Sequence, residues 1–314
     1  MSAPLKTLLT RPDRLAPGHR MCAGCGAPVA VRAVMRALDP ADKAVVSCAT
    51  GCLEVSTFTY PYTAWRDSFI HNAFENAAAT LSGAEAAYRA LSRDGRVQGR
   101  YRFVAFGGDG GTYDIGFQSL SGAMERGHPM LYVCYDNGAY MNTGIQRSSA
   151  TPAYADTTTS PSGTVSQGKP QRRKDMTRIL AAHGIPFAAQ SAFTADFRDL
   201  HAKAEKSFAC GGAAFLNVLA PCPRGWRYEA RDLMKISKLA IDTCFWPMYE
   251  IEEGVLRLTY TPKKKLPVTD FLAAQGRFAH LFPEGEPSEA VAAVQEAVDR
   301  EWEILGSLDG KRLH

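Results

Sequence analysis

The sequence predicts an α/β fold in which a mostly parallel β-sheet is flanked by helices. Two near-continuous apolar runs, residues 101–106 and 129–135, are typical of strands buried on both faces, as parallel strands are. Segments with apolar residues at helical spacing alternate with these runs. Each run leads directly into a motif of Gly with Asp or of Asp with Asn. We therefore expect ligand-binding residues at the carboxyl ends of neighbouring strands.

Length and composition limit the class of protein. The 314 residues allow one large or two medium domains. No apolar run approaches the roughly 20 residues of a membrane helix, and the N-terminus lacks the charged and apolar regions of a signal peptide. The net charge of +4 is too small to indicate nucleic-acid binding. We expect a cytoplasmic protein that binds neither membranes nor nucleic acid.

The other elements of the main domain follow from local patterns. Apolar residues at helical spacing predict helices over residues 27–38, 74–91, 115–126, 176–183 and 195–208. Short apolar runs predict strands over residues 44–48, 186–189 and 214–219. The first 20 residues are predicted to form an extended arm, because Pro4, Pro12 and Pro17 disfavour a helix. Residues 154–174 have no periodicity, and a loop of this length is either mobile or functional.

The pattern changes near residue 230. Residues 248–251 and 255–260 alternate on either side of Glu253-Gly254, which predicts a β-hairpin. Two helices are predicted to follow, one beginning at Thr269 and one over residues 288–304, with Ser288 as a helix cap. We expect residues 1–229 to form the ligand-binding domain. Residues 230–314 should form a small C-terminal α+β unit that contacts another subunit.

A Gly-Asp-Gly-Gly motif, residues 108–111, follows one predicted strand. Glycines allow the backbone to approach a phosphate closely, and the Asp109 carboxylate is the kind of ligand that Mg²⁺ prefers. Taken alone, the motif is more typical of a turn. However, Asn137 follows the next strand, and its amide oxygen can join the same metal shell. Together the two motifs predict a site for a phosphate group and a metal ion.

The eight cysteines are expected to be reduced thiols rather than disulfides. Cys22-x-x-Cys25 is compatible with a redox dithiol, half of a zinc site or half of an iron–sulfur site, and these alternatives stay open. Zinc would need a second close pair, which is absent, and so is the closely spaced ferredoxin run. Cys52, after Gly51, and Cys222, between two prolines, are ligand candidates because the backbone turns sharply there. The remaining cysteines are assigned to the core or the surface: Cys48, Cys134, Cys210 and Cys244.

Seven motifs, taken together and in order, resemble the β subunit of pyruvate:ferredoxin oxidoreductase and of related 2-oxoacid:acceptor oxidoreductases. They are CAGCG (22–26), ATGCLE (49–54), YTAW (62–65), IHNAFENAAA (70–79), GDGGTYDIG (108–116), YMNTGIQRS (140–148) and PCPRGW (221–226). The resemblance spans about residues 17–260. It implies a thiamine-diphosphate-binding fold, with residues 1–229 holding both the thiamine diphosphate and an iron–sulfur site.

The resemblance also implies roles for single residues. Asp109, Asn137 and the carbonyl of Ala139 would hold Mg²⁺. Asn142 would be catalytic and reach toward the substrate. The four cysteines of one [4Fe-4S] cluster would be Cys22, Cys25, Cys52 and Cys222. The residues expected to bind the cofactors are Gly51, Cys52, His71, Gly108, Asp109, Gly110, Gly111, Asn137, Asn142, Thr143 and Gly144.

Three positions leave alternatives or depart from the pattern. His71 either lines the cofactor site or caps the following helix. Asp136 stands where the family usually has a first Asn, and Gly138 stands where pyruvate-specific relatives often have a larger, acidic residue.

The function implied is thiamine-dependent oxidative decarboxylation of a 2-oxoacid, with one-electron transfer to the [4Fe-4S] cluster and acyl transfer to coenzyme A. Pyruvate is the expected substrate. The implied partners are α/γ-type subunits, which supply a pyrimidine-binding domain and its activating glutamate, and a ferredoxin-like δ subunit. The alternatives are the same chemistry on oxalate, phenylglyoxylate or another 2-oxoacid, a non-oxidative thiamine diphosphate decarboxylase, and a non-catalytic electron-transfer subunit.

Overall fold

Ten strands and eleven α-helices are found in the computed structural model, which describes residues 5–59 and 61–313. The strands are β1 (Lys43–Cys48), β2 (Phe58–Thr59), β3 (Tyr62–Thr63), β4 (Ser68–His71), β5 (Tyr101–Gly108), β6 (Met130–Asp136), β7 (Phe187–Ser191), β8 (Ala214–Leu219), β9 (Tyr249–Glu252) and β10 (Val255–Leu258). The α-helices are α1 (Leu5–Thr10), α2 (Ala27–Met35), α3 (Cys52–Thr57), α4 (Ala77–Arg93), α5 (Phe117–Arg126), α6 (Met176–Ala181), α7 (Phe197–Ala209), α8 (Pro223–Trp226), α9 (Leu233–Asp242), α10 (Val268–Ala273) and α11 (Glu289–Leu308).

Eight of the strands form one sheet in the order β4-β1-β5-β6-β8-β7-β9-β10. The six strands from β4 to β7 are mutually parallel, and the hairpin of β9 and β10 joins antiparallel to β7. The predicted fold class, a mostly parallel sheet flanked by helices, is confirmed. No helix in the described part of the chain is both long and apolar enough to cross a membrane.

Side chains alternate between the two faces of the sheet and build two cores. In β6, Leu131 and Val133 pack toward the face covered by α2 and α7. Met130 and Tyr132 pack toward the opposite face, which is covered by α4, α5 and α6. Because both faces are buried, most residues of these strands are apolar.

A buried aromatic side chain at the centre of the second core provides a test of this packing. Phe215 in β8 is fully buried and stacks with Tyr132 at 6.2 Å between ring centroids. Phe215→Ala is expected to lower the free energy of unfolding by about 3–5 kcal/mol, because it leaves a cavity in a close-packed interior. The matched control is Phe197→Ala, since that ring is 45% exposed; it should cost less than about 1 kcal/mol. Equal losses in denaturant unfolding would contradict this assignment of the core.

The N-terminal segment differs from the predicted extended arm. Residues 1–4 lie outside the described residues, but Leu5–Thr10 forms helix α1. Proline is excluded only from a helix interior. Since Pro12 follows the end of α1, it does not interrupt the helix.

The C-terminal segment continues the main sheet across the predicted boundary at residue 230. Ile251 in β9 is paired with Ala188 in β7. Leu256 of β10 and Leu305 of α11 belong to the same core as Phe215. The predicted hairpin and the second helix are both present, although Ser288 forms no cap: it occupies the position before α11, but its hydroxyl has no hydrogen-bond partner. The hairpin is therefore part of the sheet, not a separate appendage.

Candidate functional site

Four adjacent parallel strands bring the predicted ligands to one edge of the sheet. Strand β1 leads into Cys52, β5 into Asp109, β6 into Asn137 and β8 into Cys222. These strands are consecutive in the sheet order, so their carboxyl ends are neighbours. Crevices at such ends are where open α/β sheets bind ligands.

A partly open cavity lies at this edge. Nine predicted site residues line it: Gly51, Cys52, Gly108, Gly110, Gly111, Asn137, Ala139, Asn142 and Thr143. Asp109 lies between two of the lining glycines in the chain and is completely buried. The structure therefore joins most of the predicted cofactor-binding residues in one place.

The cavity wall has no room for side chains at two of its glycines. A Cβ atom on Gly110 would lie 2.3 Å from the ring of Tyr140, and one on Gly51 would lie 2.6 Å from the hydroxyl of Tyr135. The Tyr140 hydroxyl donates to the carbonyl of Gly110 at 2.8 Å, which fixes the ring there. A wall of bare backbone allows its N–H groups to approach an anion closely.

Three oxygen atoms converge beside the cavity. The side-chain oxygen of Asn137, as placed, lies 2.9 Å from Oδ1 of Asp109 and 2.8 Å from the carbonyl oxygen of Ala139, and both of these are acceptors. Rotating the amide by 180° would turn the two contacts into hydrogen bonds donated by its NH₂ group. Without that rotation, the amide oxygen of Asn137 and the two acceptor oxygens could all bind one cation. Neighbouring oxygens in an octahedral Mg²⁺ shell lie about 2.9 Å apart, √2 times the metal–oxygen distance.

The charge balance around Asp109 also fits a cation. Burial, and then the charge of Asp136, raise the pKa of Asp109 above its usual value. Arg173 pairs with Asp136 at 2.7 Å but not with Asp109. Among the described residues, the hydrogen-bond donors to the Asp109 carboxylate are neutral: the Ser148 hydroxyl at 2.5 Å and the Asn137 backbone N–H at 3.2 Å. A divalent cation would supply the missing positive charge.

The N-terminal cysteine loop is attached to the segment that follows β8. The Gly26 N–H donates to the carbonyl of Pro221 at 2.9 Å. The Tyr228 hydroxyl donates to the carbonyl of Gly24 at 2.8 Å. These two bonds hold the loop of residues 22–25 beside the segment that carries the fourth predicted cysteine ligand.

The four predicted cysteine ligands lie within electrostatic reach of one another. Burial, and then the charges of Cys222, Cys52 and Cys22, raise the pKa of Cys25 to about 12. Burial, followed by the charges of Cys222 and Cys22, likewise raises the pKa of Cys52 to about 12. By contrast, Cys48 and Cys134 are fully buried in the core, as predicted.

The donor set is compatible with a cluster. In residues 5–59 and 61–313, no group of three His, Cys, Asp or Glu side chains is arranged to hold a single metal ion. An iron–sulfur cluster lies between its ligands instead of drawing them to one point, and four thiolates are its usual ligands. The donors to a Mg²⁺ ion would include an amide and a backbone carbonyl.

Other predicted residues lie at the rim of the site or away from it. Asn142 and Thr143 are exposed on the rim of the cavity. Gly144 has a φ of +119° in the turn that follows, and it does not line the cavity. His71 lies at the end of β4, where its Nδ1 pairs with the carboxylate of Glu54, and it is also outside the cavity lining. It does not cap the following helix, which begins at Ala77.

Four residues at the site were given no cofactor role from the sequence. Tyr140 and Ser148 belong to the YMNTGIQRS motif, which could have indicated them. Trp226, the last residue of the PCPRGW motif, donates from Nε1 to the carbonyl of Asn137 at 2.6 Å. Arg277 stacks on the Trp226 ring at 4.0 Å, and no motif indicates it.

Comparisons with known proteins agree with this geometry. Residues 48–218 match the family described as thiamine pyrophosphate enzyme, C-terminal TPP binding domain. Pyruvate synthase subunit PorB of Thermotoga maritima is 52% identical over 93% of this chain and 91% of its own length. The PorB subunit of Methanocaldococcus jannaschii is 48% identical over 94% of this chain and 97% of its own length. Ketoisovalerate oxidoreductase subunit VorB of Pyrococcus abyssi is 39% identical over 97% of this chain and 96% of its own length.

A solved structure supports the fold. The 2-oxoglutarate:ferredoxin oxidoreductase from Magnetococcus marinus, solved with 2-oxoglutarate, coenzyme A and succinyl-CoA, superimposes with a TM-score of 0.55. It covers 73% of this chain and 78% of its own, at 20% identity. The family expected from the motifs is confirmed by the identity to the PorB subunits. The chain belongs to the PorB family of 2-oxoacid oxidoreductase β subunits, which are thiamine pyrophosphate enzymes.

Proposed function

We propose that this chain is the thiamine diphosphate- and [4Fe-4S]-binding subunit of a pyruvate oxidoreductase that forms an acyl-coenzyme A. The observation that carries the proposal is the position of Cys52, which lines the same cavity as Gly108 and Asn137. One cysteine ligand thus borders the diphosphate site directly. A non-oxidative decarboxylase would have no use for that arrangement.

The diphosphate site is assigned from the cavity wall and the oxygen atoms beside it. The backbone of residues 108–111 would receive the diphosphate. Asp109, Asn137 and the Ala139 carbonyl would hold the Mg²⁺ that bridges to it, as their 2.8 and 2.9 Å spacings support. The Ser148 hydroxyl keeps the carboxylate of Asp109 turned toward Asn137.

The cluster site is assigned to Cys22, Cys25, Cys52 and Cys222. The charges of neighbouring cysteines raise the pKa of Cys25 and Cys52. This repulsion between thiolates supports the assignment, because a positively charged iron–sulfur core would offset it.

The residues of this chain bind and orient the reactants. When bound, thiamine diphosphate supplies the electron sink for decarboxylation of a 2-oxoacid, and the cluster supplies a one-electron acceptor. Asn142, which lines the cavity and is exposed at its rim, would donate a hydrogen bond from its amide to the substrate. Tyr140, whose hydroxyl donates to the Gly110 carbonyl, would form the wall at the diphosphate end of the cavity.

Pyruvate is the proposed substrate because the identity to two pyruvate synthase subunits, 52% and 48%, exceeds the 39% identity to the ketoisovalerate subunit. A panel of 2-oxoacids tests this on the purified complex with a dye acceptor, together with iron and thiamine analysis. The expected result is the highest kcat/KM for pyruvate, ahead of ketoisovalerate, 2-oxoglutarate, oxalate and phenylglyoxylate. A complex that contains neither iron nor thiamine diphosphate would refute the proposed function itself.

The active site is proposed to need a partner chain. The described residues form one large sheet and one two-stranded hairpin, and the family match covers a single TPP-binding domain. We assign the pyrimidine-binding domain and its activating glutamate to an α/γ-type subunit, and onward electron transfer to a ferredoxin-like δ subunit.

The isolated chain is therefore expected to decarboxylate pyruvate at least about 100-fold more slowly than the complex, since an acid–base group contributes about 10²–10⁴-fold. Carbon dioxide release is measured with thiamine diphosphate, Mg²⁺, pyruvate and a dye acceptor. Adding the partner subunits to the same sample is the control and should restore turnover. Full activity of the chain alone would show that it holds the whole site.

A further inference from the structure

A buried arginine lies where the two proposed cofactor sites meet. Arg277 belongs to the 3₁₀ turn Gly276–Leu281 in the C-terminal part of the chain and is 3% exposed. Its Nε donates to the side-chain oxygen of Gln275 at 2.9 Å. No carboxylate in residues 5–59 and 61–313 is within salt-bridge distance of it, but the charges of Asp136, Cys222 and Asp109 act on it. Burying a cation is unfavourable unless negative charge balances it, and the charges that balance Arg277 belong to the two proposed cofactor sites and not to an ion pair of its own.

One side of Arg277 faces the proposed metal loop. Its guanidinium carbon lies 4.0 Å from the ring centroid of Trp226, and Trp226 donates from Nε1 to the carbonyl of Asn137 at 2.6 Å. A Cβ atom on Gly138 would lie 3.0 Å from Nη1 of Arg277. The guanidinium thus borders the loop that carries two of the proposed Mg²⁺ ligands.

Arg277 also lies against the turn that carries a proposed cluster ligand. Cys222 begins the helical turn that ends at Trp226, and the Trp226 N–H donates to the Cys222 carbonyl at 2.9 Å. The charges of Arg277 and Cys222 act on each other. The same turn therefore holds the thiolate and the surface on which the cation stacks.

We propose that Arg277 is a positioning residue whose fixed positive charge raises the reduction potential of the [4Fe-4S] cluster. This inference rests on the proposed function. Each reduction transfers one electron from the substrate to the cluster without a proton, so the cluster becomes more negative by one charge. A cation in a water-poor interior stabilises that more negative form. Arginine suits the role because it keeps its charge when buried, where lysine is readily neutralised.

The test measures the midpoint potential of the cluster by EPR-monitored titration of the purified complex. Arg277→Gln is expected to make reduction at least tenfold less favourable, which is about 59 mV toward negative potential for a one-electron couple. Arg277→Lys should shift the potential in the same direction, because a lysine buried there is readily neutralised. The control is Arg227→Gln, because Arg227 is half exposed and already paired with Asp156. The midpoint potential of the cluster should not change in this variant.

A second pair of variants changes the charge without removing the arginine. Gly138→Asp would place a carboxylate beside Nη1, and Gly138→Asn would place a neutral group of the same shape there. Gly138 has a φ of +74°, which Asp and Asn tolerate better than other side chains. The Asp variant is expected to have a more negative potential than the Asn variant. This comparison is informative even if Arg277→Gln fails to fold.

The outcomes separate the two proposals. If the wild-type complex contains no iron or no thiamine diphosphate, the proposed function fails. If the cluster is present and its potential is the same in wild type and Arg277→Gln, or in the two Gly138 variants, only the role of Arg277 is overturned. A structural role alone would lower the unfolding temperature without moving the potential.

Discussion

Asp109→Asn is expected to weaken the binding of thiamine diphosphate in the presence of Mg²⁺ by more than about 100-fold. Changes to groups outside the metal shell already cost about 10–100-fold, and this change removes the charged ligand itself. The carboxamide of the variant keeps the size of the side chain and can still accept the hydrogen bond from the Ser148 hydroxyl. The shape of the cavity should therefore persist. Calorimetric titration of the purified complex with the cofactor, at fixed Mg²⁺, measures the effect.

The same variant should stabilise the metal-free chain. Asp109 is completely buried beside Asp136, so its charge opposes folding when no cation is present. Removing that charge is expected to raise the unfolding temperature measured in a chelator. Affinity and stability should therefore change in opposite directions, which a simple folding defect cannot produce.

A buried carboxylate elsewhere provides the matched control. Asp199 accepts from Ser191 and pairs with the fully buried Lys203 at 2.8 Å, away from the cavity lining. Asp199→Asn should leave cofactor affinity unchanged and lower stability by about 3–5 kcal/mol, because Lys203 loses its counter-charge. If both variants bind the cofactor normally, Asp109 is not a ligand.

Cys222→Ala is expected to remove the bound iron and the broad visible absorbance of the cluster, and with them turnover. Thiamine diphosphate should still bind, because Asp109, Asn137 and Ala139 are unaltered. Chemical iron determination, the absorbance spectrum and a cofactor titration of the same preparation measure these results. The loss should be large because a four-thiolate cluster has no other ligand to replace the missing sulfur.

A second half-buried cysteine controls for general effects of removing a thiol. Cys210 donates to the carbonyl of Ser207 at 3.3 Å, at the end of α7, and lies outside the four-cysteine group. Cys210→Ala should retain full iron content and activity. Unchanged iron in Cys222→Ala would exclude this residue from the ligand set.

Much of the fold could be predicted because its strands are defined by local composition. The strands predicted over 101–106, 129–135 and 214–219 agree with β5, β6 and β8 to within two residues. Strands buried on both faces are mostly apolar, and the glycines and polar residues that end them are visible in the sequence. The helix α1 and the edge strand β4 were not predicted, since both are short and lack a strong periodic signal.

The position of the C-terminal hairpin could not be predicted for a different reason. The alternation in residues 248–260 indicates two paired strands but not which other strand they join. Pairing of Ile251 with Ala188 decides that. For His71, the local motif suggested a position in the cofactor site. Its side chain instead pairs with Glu54 and does not line the cavity.

The sequence by itself determined the family, the parallel sheet and the motifs that end its strands, because each depends on neighbouring residues. Only the tertiary structure decided which side chains converge. It set the side-chain amide of Asn137 at 2.9 Å from Oδ1 of Asp109 and 2.8 Å from the carbonyl oxygen of Ala139, and it placed Arg277 against Trp226. Such contacts join residues far apart in the chain, and they arise from sheet order and packing, which no local pattern encodes.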